Sequence, residues 1–273
     1  MKLSKTACGL LSCALLNAGI FAQQQNVQKA SSAQNTSTQD NAKSEKSVES
    51  EYLSSVEDVV ISELSNSDER DNKQVALQYL EDAVNSGRTT PDMTAALDHL
   101  AGEGVTTQSR ENGRLTNNFP DIRAKACDIL AKVPTKESKN TLVKIALADN
   151  EPMVVTAAVR SLGEIGINDN DEVMNVIAFA NRRNETLNPT SSLALEVLVA
   201  YEKLAPSVQD RKTMMESISK IATDYHYVTP VRTKAMALLK KLSADSKNSS
   251  DNKSSSSAKS TSTTSKTTTT SKN

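Results

Sequence analysis

Residues 150–166 read NEPMVVTAAVRSLGEIG, and the spacing within this stretch decides the fold. Val154, Ala158, Ser161, Leu162 and Ile165 stand at offsets 0, 4, 7, 8 and 11, which fall on one face of a helix with 3.6 residues per turn. Working outward, the same offsets return in Ile122, Ala126, Ile129, Leu130 and Val133, and again in Val231, Ala235, Leu238, Leu239 and Leu242. Two further sets, Thr190, Ala194, Val197, Leu198, Tyr201 and Asn72, Ala76, Tyr79, Leu80, Ala83, follow with a weaker first position. Offset 4 is alanine every time. A side chain that small, repeated at one place on five helices, predicts that the helices approach closely there.

Pro120, Pro152, Pro189 and Pro230 sit one or two residues before offset 0. A first-turn proline lacks only a donor that would be unpaired anyway. Asn188 and Thr229 directly precede their prolines and read as N-caps. The starts are 50, 32, 36 and 41 residues apart, which leaves room for a second helix in each unit. The partner helices read as Tyr52–Leu64, Pro91–Gly102, Lys136–Ala148, Glu172–Arg183 and Ser207–Tyr225. The long first spacing comes from residues 104–119, GVTTQSRENGRLTNNF, a polar insertion without apolar periodicity. No strand signal competes. The expected fold is all-α, an α-solenoid of about five antiparallel helix pairs over residues 52–244, with disordered segments at both ends.

The quoted stretch resembles the second helix of a HEAT repeat, of the short bacterial kind also found in phycobilin lyases, whose pattern is roughly D-x-x-P-x-V-R-x-A-A-x-x-A-L-G-x-I-G. Pro120, Ile122 and Arg123, and Pro230, Val231 and Arg232, carry the proline, aliphatic and arginine positions. Val155 and Ser191 replace that arginine in the third and fourth units. The resemblance implies that second helices line the inner side of the array. It bears on fold, and a fold alone does not determine function.

The first 22 residues read as a secretory signal. Lys2 and Lys5 precede an apolar run from Ala7 to Ala22, and polar sequence starts at Gln23. At 16 residues the run is short for a membrane span, which takes about 20. Leu10-Leu11-Ser12-Cys13 also resembles a bacterial lipobox, in which Cys13 would be acylated. The chain is therefore expected to be exported, periplasmic or secreted, and bacterial, with lipoprotein as the alternative. Removing the signal leaves only Cys127, too few for an internal disulfide, and its surroundings mark it as a small core residue. Residues 23–51 and the Ser/Thr/Lys-rich tail 245–273 hold too little apolar material to offset the entropy of folding.

Chemistry is sparse. His99 and His226 lie in different units, and no HExxH, GxSxG or phosphate-cradling glycine loop occurs. No metal, catalytic residue or cofactor is expected. The phycobilin-lyase branch would be the natural enzyme reading, but export and the lack of a further lyase signal count against it. Residues 52–244 carry 22 basic and 27 acidic side chains and the tail carries five Lys against two Asp, a balance that argues against nucleic acid. Offset 5 (Leu77, Cys127, Val159, Leu195, Met236) should be covered by the neighbouring repeat. Offset 6 (Gln78, Asp128, Arg160, Glu196, Ala237) and offset 10 (Asp82, Lys132, Glu164, Ala200, Lys241) should form an exposed ridge of alternating charge. The candidate partner-binding residues are therefore Gln78, Asp128, Lys132, Arg160, Glu164 and Glu196, facing an unidentified protein partner. The expected function is a non-enzymatic interaction scaffold. The alternative is an envelope component tethered by its basic tail or by lipid on Cys13.

The exported protein should begin at Gln23. Intact-mass measurement of the secreted or periplasmic form checks this, and an acylated species beginning at Cys13 would assign the protein to a membrane instead.

Overall fold

The computed structural model describes residues 48–254, with side chains described up to Asp245. The expectations for residues 1–22, including Cys8 and Cys13, lie outside the described residues. Among those described, ten α-helices follow one another: α1 (Val48–Asn66), α2 (Arg70–Asn85), α3 (Pro91–Gly102), α4 (Pro120–Leu130), α5 (Lys136–Ala148), α6 (Pro152–Ile165), α7 (Glu172–Leu187), α8 (Ser191–Leu204), α9 (Arg211–Thr223) and α10 (Thr229–Ser254). Each odd helix packs on the even helix after it, and each packs on its counterparts in the adjacent pairs. This is an all-α solenoid of five pairs. Helix α1 starts inside the segment expected to be unstructured, with Glu49 and Glu51 in its first turn, where carboxylates oppose the positive end of the helix dipole. Helix α10 runs ten residues past Ala244, a stretch with no glycine or proline to stop it.

The alanine column sets the spacing of the even layer. Ala76, Ala126, Ala158, Ala194 and Ala235 are all fully excluded from solvent. Offset 8 supplies the leucines that fill between them, of which Leu80, Leu130, Leu162 and Leu198 are fully buried and Leu239 half-buried. The tightest approach joins α6 to α8. A Cβ placed on Gly163 would lie 2.7 Å from both Cα and Cβ of Ala200. Across the middle of the array α4, α6 and α8 pack more closely on one another than α3, α5 and α7 do. A layer with the shorter spacing lies on the inside of the curve, so the even helices line the inner side there.

Three details depart from the sequence reading. The insertion contains a β-hairpin, β1 (Arg110–Glu111) paired antiparallel with β2 (Arg114–Leu115). Its turn is Asn112-Gly113, both at positive φ (49° and 80°), and Asn-Gly is the strongest short hairpin signal because two successive left-handed residues match the strand twist. Helix α8 is preceded by Thr190 in extended conformation (φ −117°, ψ 131°), so Pro189 and Asn188 lie before the cap. At α10 the Val228 carbonyl accepts from the amides of Val231 and Arg232, which makes Thr229 the first helical residue and leaves capping to Val228.

Charges hold the loops. At offset 1, Lys73 and Arg123 are buried, and each reaches the acid that ends the next odd helix. Lys73 Nζ lies 2.9 Å from Oε1 of Glu103 at the end of α3, and Arg123 Nε lies 2.7 Å from Oδ2 of Asp149 at the end of α5. Arg123 Nη1 also donates to Asn118 Oδ1 (2.9 Å) and the Glu103 carbonyl (3.3 Å), tying both ends of the insertion to α4. Where offset 1 is Ser191, its hydroxyl accepts from the Val228 amide instead (3.1 Å). Farther along, Asp171 (φ 60°) accepts from the amides of Gln209 and Asp210 at 3.0 and 2.7 Å, joining the entries of α7 and α9. Those amides, Asp210 foremost, hold its carboxyl below the usual aspartate range.

Gly163→Ala should destabilise the fold by about 1–3 kcal/mol. The roughly 1 kcal/mol that alanine gains over glycine in helix propensity is outweighed by overpacking against the Ala200 backbone. Denaturant melts of the variant beside wild type give the sign directly.

Candidate functional site

The side chains at offsets 6 and 10, expected to form one exposed ridge, differ in burial and in what they touch. Arg160 on α6 stands between Asp128 on α4 and Glu196 on α8. Its Nη2 lies 2.7 Å from Asp128 Oδ1 and its Nη1 lies 3.4 Å from Glu196 Oε1. All three are half-buried. Partial desolvation pulls the Arg160 pKa down, but hydrogen bonds and charge from Asp128 and Glu196 outweigh it and leave it above its ordinary value. One guanidinium thus links three consecutive repeats, using the planar fork that distinguishes arginine from lysine.

The remaining candidates are placed separately. Lys132, in the turn after α4, pairs with Glu81 of α2 at 3.0 Å, and Glu81 also holds Lys125. Glu164 faces Lys203 at 3.8 Å. Gln78 is exposed on α2. Ala200, expected on the ridge, is buried because it receives Gly163. Leu195 and Met236, expected under a neighbouring repeat, are 37% and 55% exposed. Helix α8 meets α10 over a much shorter stretch than it meets α6, and no helix of the described residues follows α10.

Beside the triad lies a groove that the ridge offsets did not identify. It has a volume of about 530 Å³, crosses the N-terminal halves of α4, α6 and α8, and shares Asp128 and Arg160 with the ridge. Ala124, Ala157, Thr156 and Ser192 form its walls, while Met153 opens into it at 52% exposure. Asp121 and Lys125 stand at one rim. The signal for it was in the repeat: offset 2 holds Ala124, Thr156, Ser192 and Thr233, small in four of five units, so a trough runs beside the charged row. A methionine there suits a surface that adapts to its ligand, since its side chain is unbranched and polarizable.

A larger hollow, about 610 Å³, opens between α1 and α3 on the opposite layer. It is lined by serines and by Glu51, Asp58, Glu63, Asp92 and His99, of which Asp58 is paired with Arg88 at 2.5 Å. Among the described residues no group of three or more His, Cys, Asp or Glu is placed to hold a metal, and no helix is long and apolar enough to cross a membrane. Cys127 is fully buried, which pushes its thiol far above the usual range.

Residues 112–185 match the family of HEAT repeats, a stretch running from the hairpin turn through most of α7. No curated protein matches the chain. Among solved structures the chain is similar to a de novo designed 16-helix transmembrane nanopore. The identity is 14%, the alignment covers 74% of this chain and 64% of that one, and the TM-score is 0.24. The chain thus spans less than two thirds of that structure's length.

The two kinds of ion pair should separate under mutation. Arg160→Met should cost at most about 1 kcal/mol, as half-exposed pairs do. Arg123→Met leaves Asp149 buried without its cation and should cost about 3–5 kcal/mol. Chemical denaturation of the two variants measures both, and equal losses would refute the distinction.

Proposed function

We propose that this HEAT array is an exported, non-enzymatic scaffold that binds a partner protein along the inner face of α4, α6 and α8. HEAT repeats commonly mediate protein–protein interaction, and the groove beside the Arg160 triad is the observation that carries the reading here. It offers a half-exposed methionine over small side chains, rimmed by charges of both signs. An apolar centre with a polar rim is the usual anatomy of a protein interface, and mixed charge favours a protein over the uniformly negative backbone of a nucleic acid. The triad keeps three helices in register beneath the ligand, so that the groove is formed before binding and little ordering cost falls on association. The export part of the reading rests on the Lys2, Lys5 and Ala7–Ala22 pattern alone. The tethered alternative rests on the five lysines of the tail and on Cys13.

A photo-crosslinking residue at position 153 should capture one predominant protein in the native cell. The same residue at position 179, where Phe179 is 51% exposed on the opposite layer, should capture none in common with it. Thr156→Arg, which fills the groove, should reduce capture at least tenfold and, because Thr156 is half-buried and its hydroxyl donates to the Pro152 carbonyl, should shift the melt by about 1 kcal/mol. Identical capture from both positions, or capture lost on deleting residues 255–273 and retained in Thr156→Arg, would overturn the groove as the binding face.

A further inference from the structure

Every solenoid has two end faces, and soluble ones close them with repeats whose outer side is polar. Neither end of the described array is built that way. At offset 7, Ile129, Ser161, Val197 and Leu238 are buried, yet Tyr79 of the first pair is 43% exposed. Val75, one turn earlier on α2, is 40% exposed, and Val56 and Val60 of α1 are similarly open. At the other end, exposure at offset 5 rises from Leu77, Cys127 and Val159, which the following even helix covers, through Leu195 (37%), which α10 covers in part, to Met236 (55%), which no helix of the described residues covers. Leu239 beside it is only half-buried. The uncovered apolar residues are thus the two unmatched halves of one seam, the seam that α4, α6 and α8 close inside the array.

Charge makes the halves complementary. Residues 48–85, the first pair, carry ten carboxylates against two cations, a net of −8. Residues 211–245, the last pair up to the end of the described side chains, carry seven cations against three carboxylates, a net of +4 with histidine neutral. Lys240 and Arg232 flank Met236 on α10, while Asp71 and Asp82 flank Tyr79 on α2. Like faces repel and unlike faces attract, which disfavours a two-fold pairing of N-terminal faces and favours head-to-tail contact.

We propose that the occupant of each end face is a second copy of this chain, stacked head to tail so that α2 of one copy takes the place of a sixth even helix after α10 of the other. The contact is heterologous, so association does not close at two copies, and the inner groove stays open along the stack.

Tyr79→Arg and Met236→Glu each spoil one face and spare the other. Both residues are exposed, so helicity and melting should be retained. Light scattering on the full chain, from micromolar to several hundred micromolar, should show wild-type mass rising past two copies, and rising less in 0.5 M salt. Each variant alone should stay monomeric. Mixed together, they should form a one-to-one complex, because the intact N-terminal face of Met236→Glu meets the intact C-terminal face of Tyr79→Arg. Val75→Lys with Lys240→Glu is a second pair that reads the same way if either first variant unfolds. A wild type that stays monomeric throughout overturns the proposal, as does a mass that stops at two copies with Met236→Glu still dimeric. So does a mixture of variants that fails to associate.

Discussion

The alanine at offset 4 is the constraint on which the rest of the array depends. Even helices can stack with their backbones near one another only if nothing larger than a methyl group stands at the crossing, and all five alanines are wholly excluded from solvent. Close crossing fixes where the leucines at offset 8 meet, and it brings Gly163 against Ala200. It also holds α4, α6 and α8 near enough for a single guanidinium to reach two neighbours. Larger residues would splay the helices and break that bridge, and the groove beside it would lose its walls.

A second device fixes the other direction. Lys73 and Arg123 extend from the first turns of α2 and α4 to the acids that close α3 and α5. Buried ion pairs add little net stability compared with well-packed apolar residues, but each partner is costly to leave alone. Their effect here is on registry, since a repeat that slipped along its neighbour would strand a buried charge. The third unit has Val155 at this position and the fourth has Ser191, so the device is confined to the half of the array that carries the long insertion. There it meets a specific need. Seventeen residues between α3 and α4 must return to the right place, and Arg123 grips the insertion at Glu103 and at Asn118.

Most of the fold was legible because the repeat writes the same face five times, so that Ala76 and Ala235 could be aligned without knowing what covered them. The failures share a cause. Whether Tyr79 or Met236 is buried depends on a neighbour that the offset cannot show, and at the ends there is none among the described residues. Ala200 carried no charge to mark it as ridge or core, and only the glycine opposite decides the matter. The buried cations at offset 1 were visible as Lys73 and Arg123, but their acids, Glu103 and Asp149, lie 30 and 26 residues on, in loops outside the periodic pattern. The hairpin was missed for a simpler reason. Asn112-Gly113 is flanked by the polar Glu111 and Arg114, so the hairpin carries no apolar alternation and only its turn marks it. Of the candidate site, the Asp128–Arg160–Glu196 row was readable from offset 6, while the trough beside it needed attention to small residues as well as charged ones.

Cys127 gives the array a built-in gauge of its own opening. Its thiol is sealed under the α4–α6 seam, and its backbone carbonyl accepts the hydroxyl of Ser161 across that seam at 2.8 Å. In a linear array neighbouring units can part locally while the rest stays folded. A thiol reagent can reach Cys127 only when the second and third units separate. The rate of alkylation therefore reports how often the middle of the solenoid gapes, and slower labelling with a bound partner would show how far that partner clamps the units together.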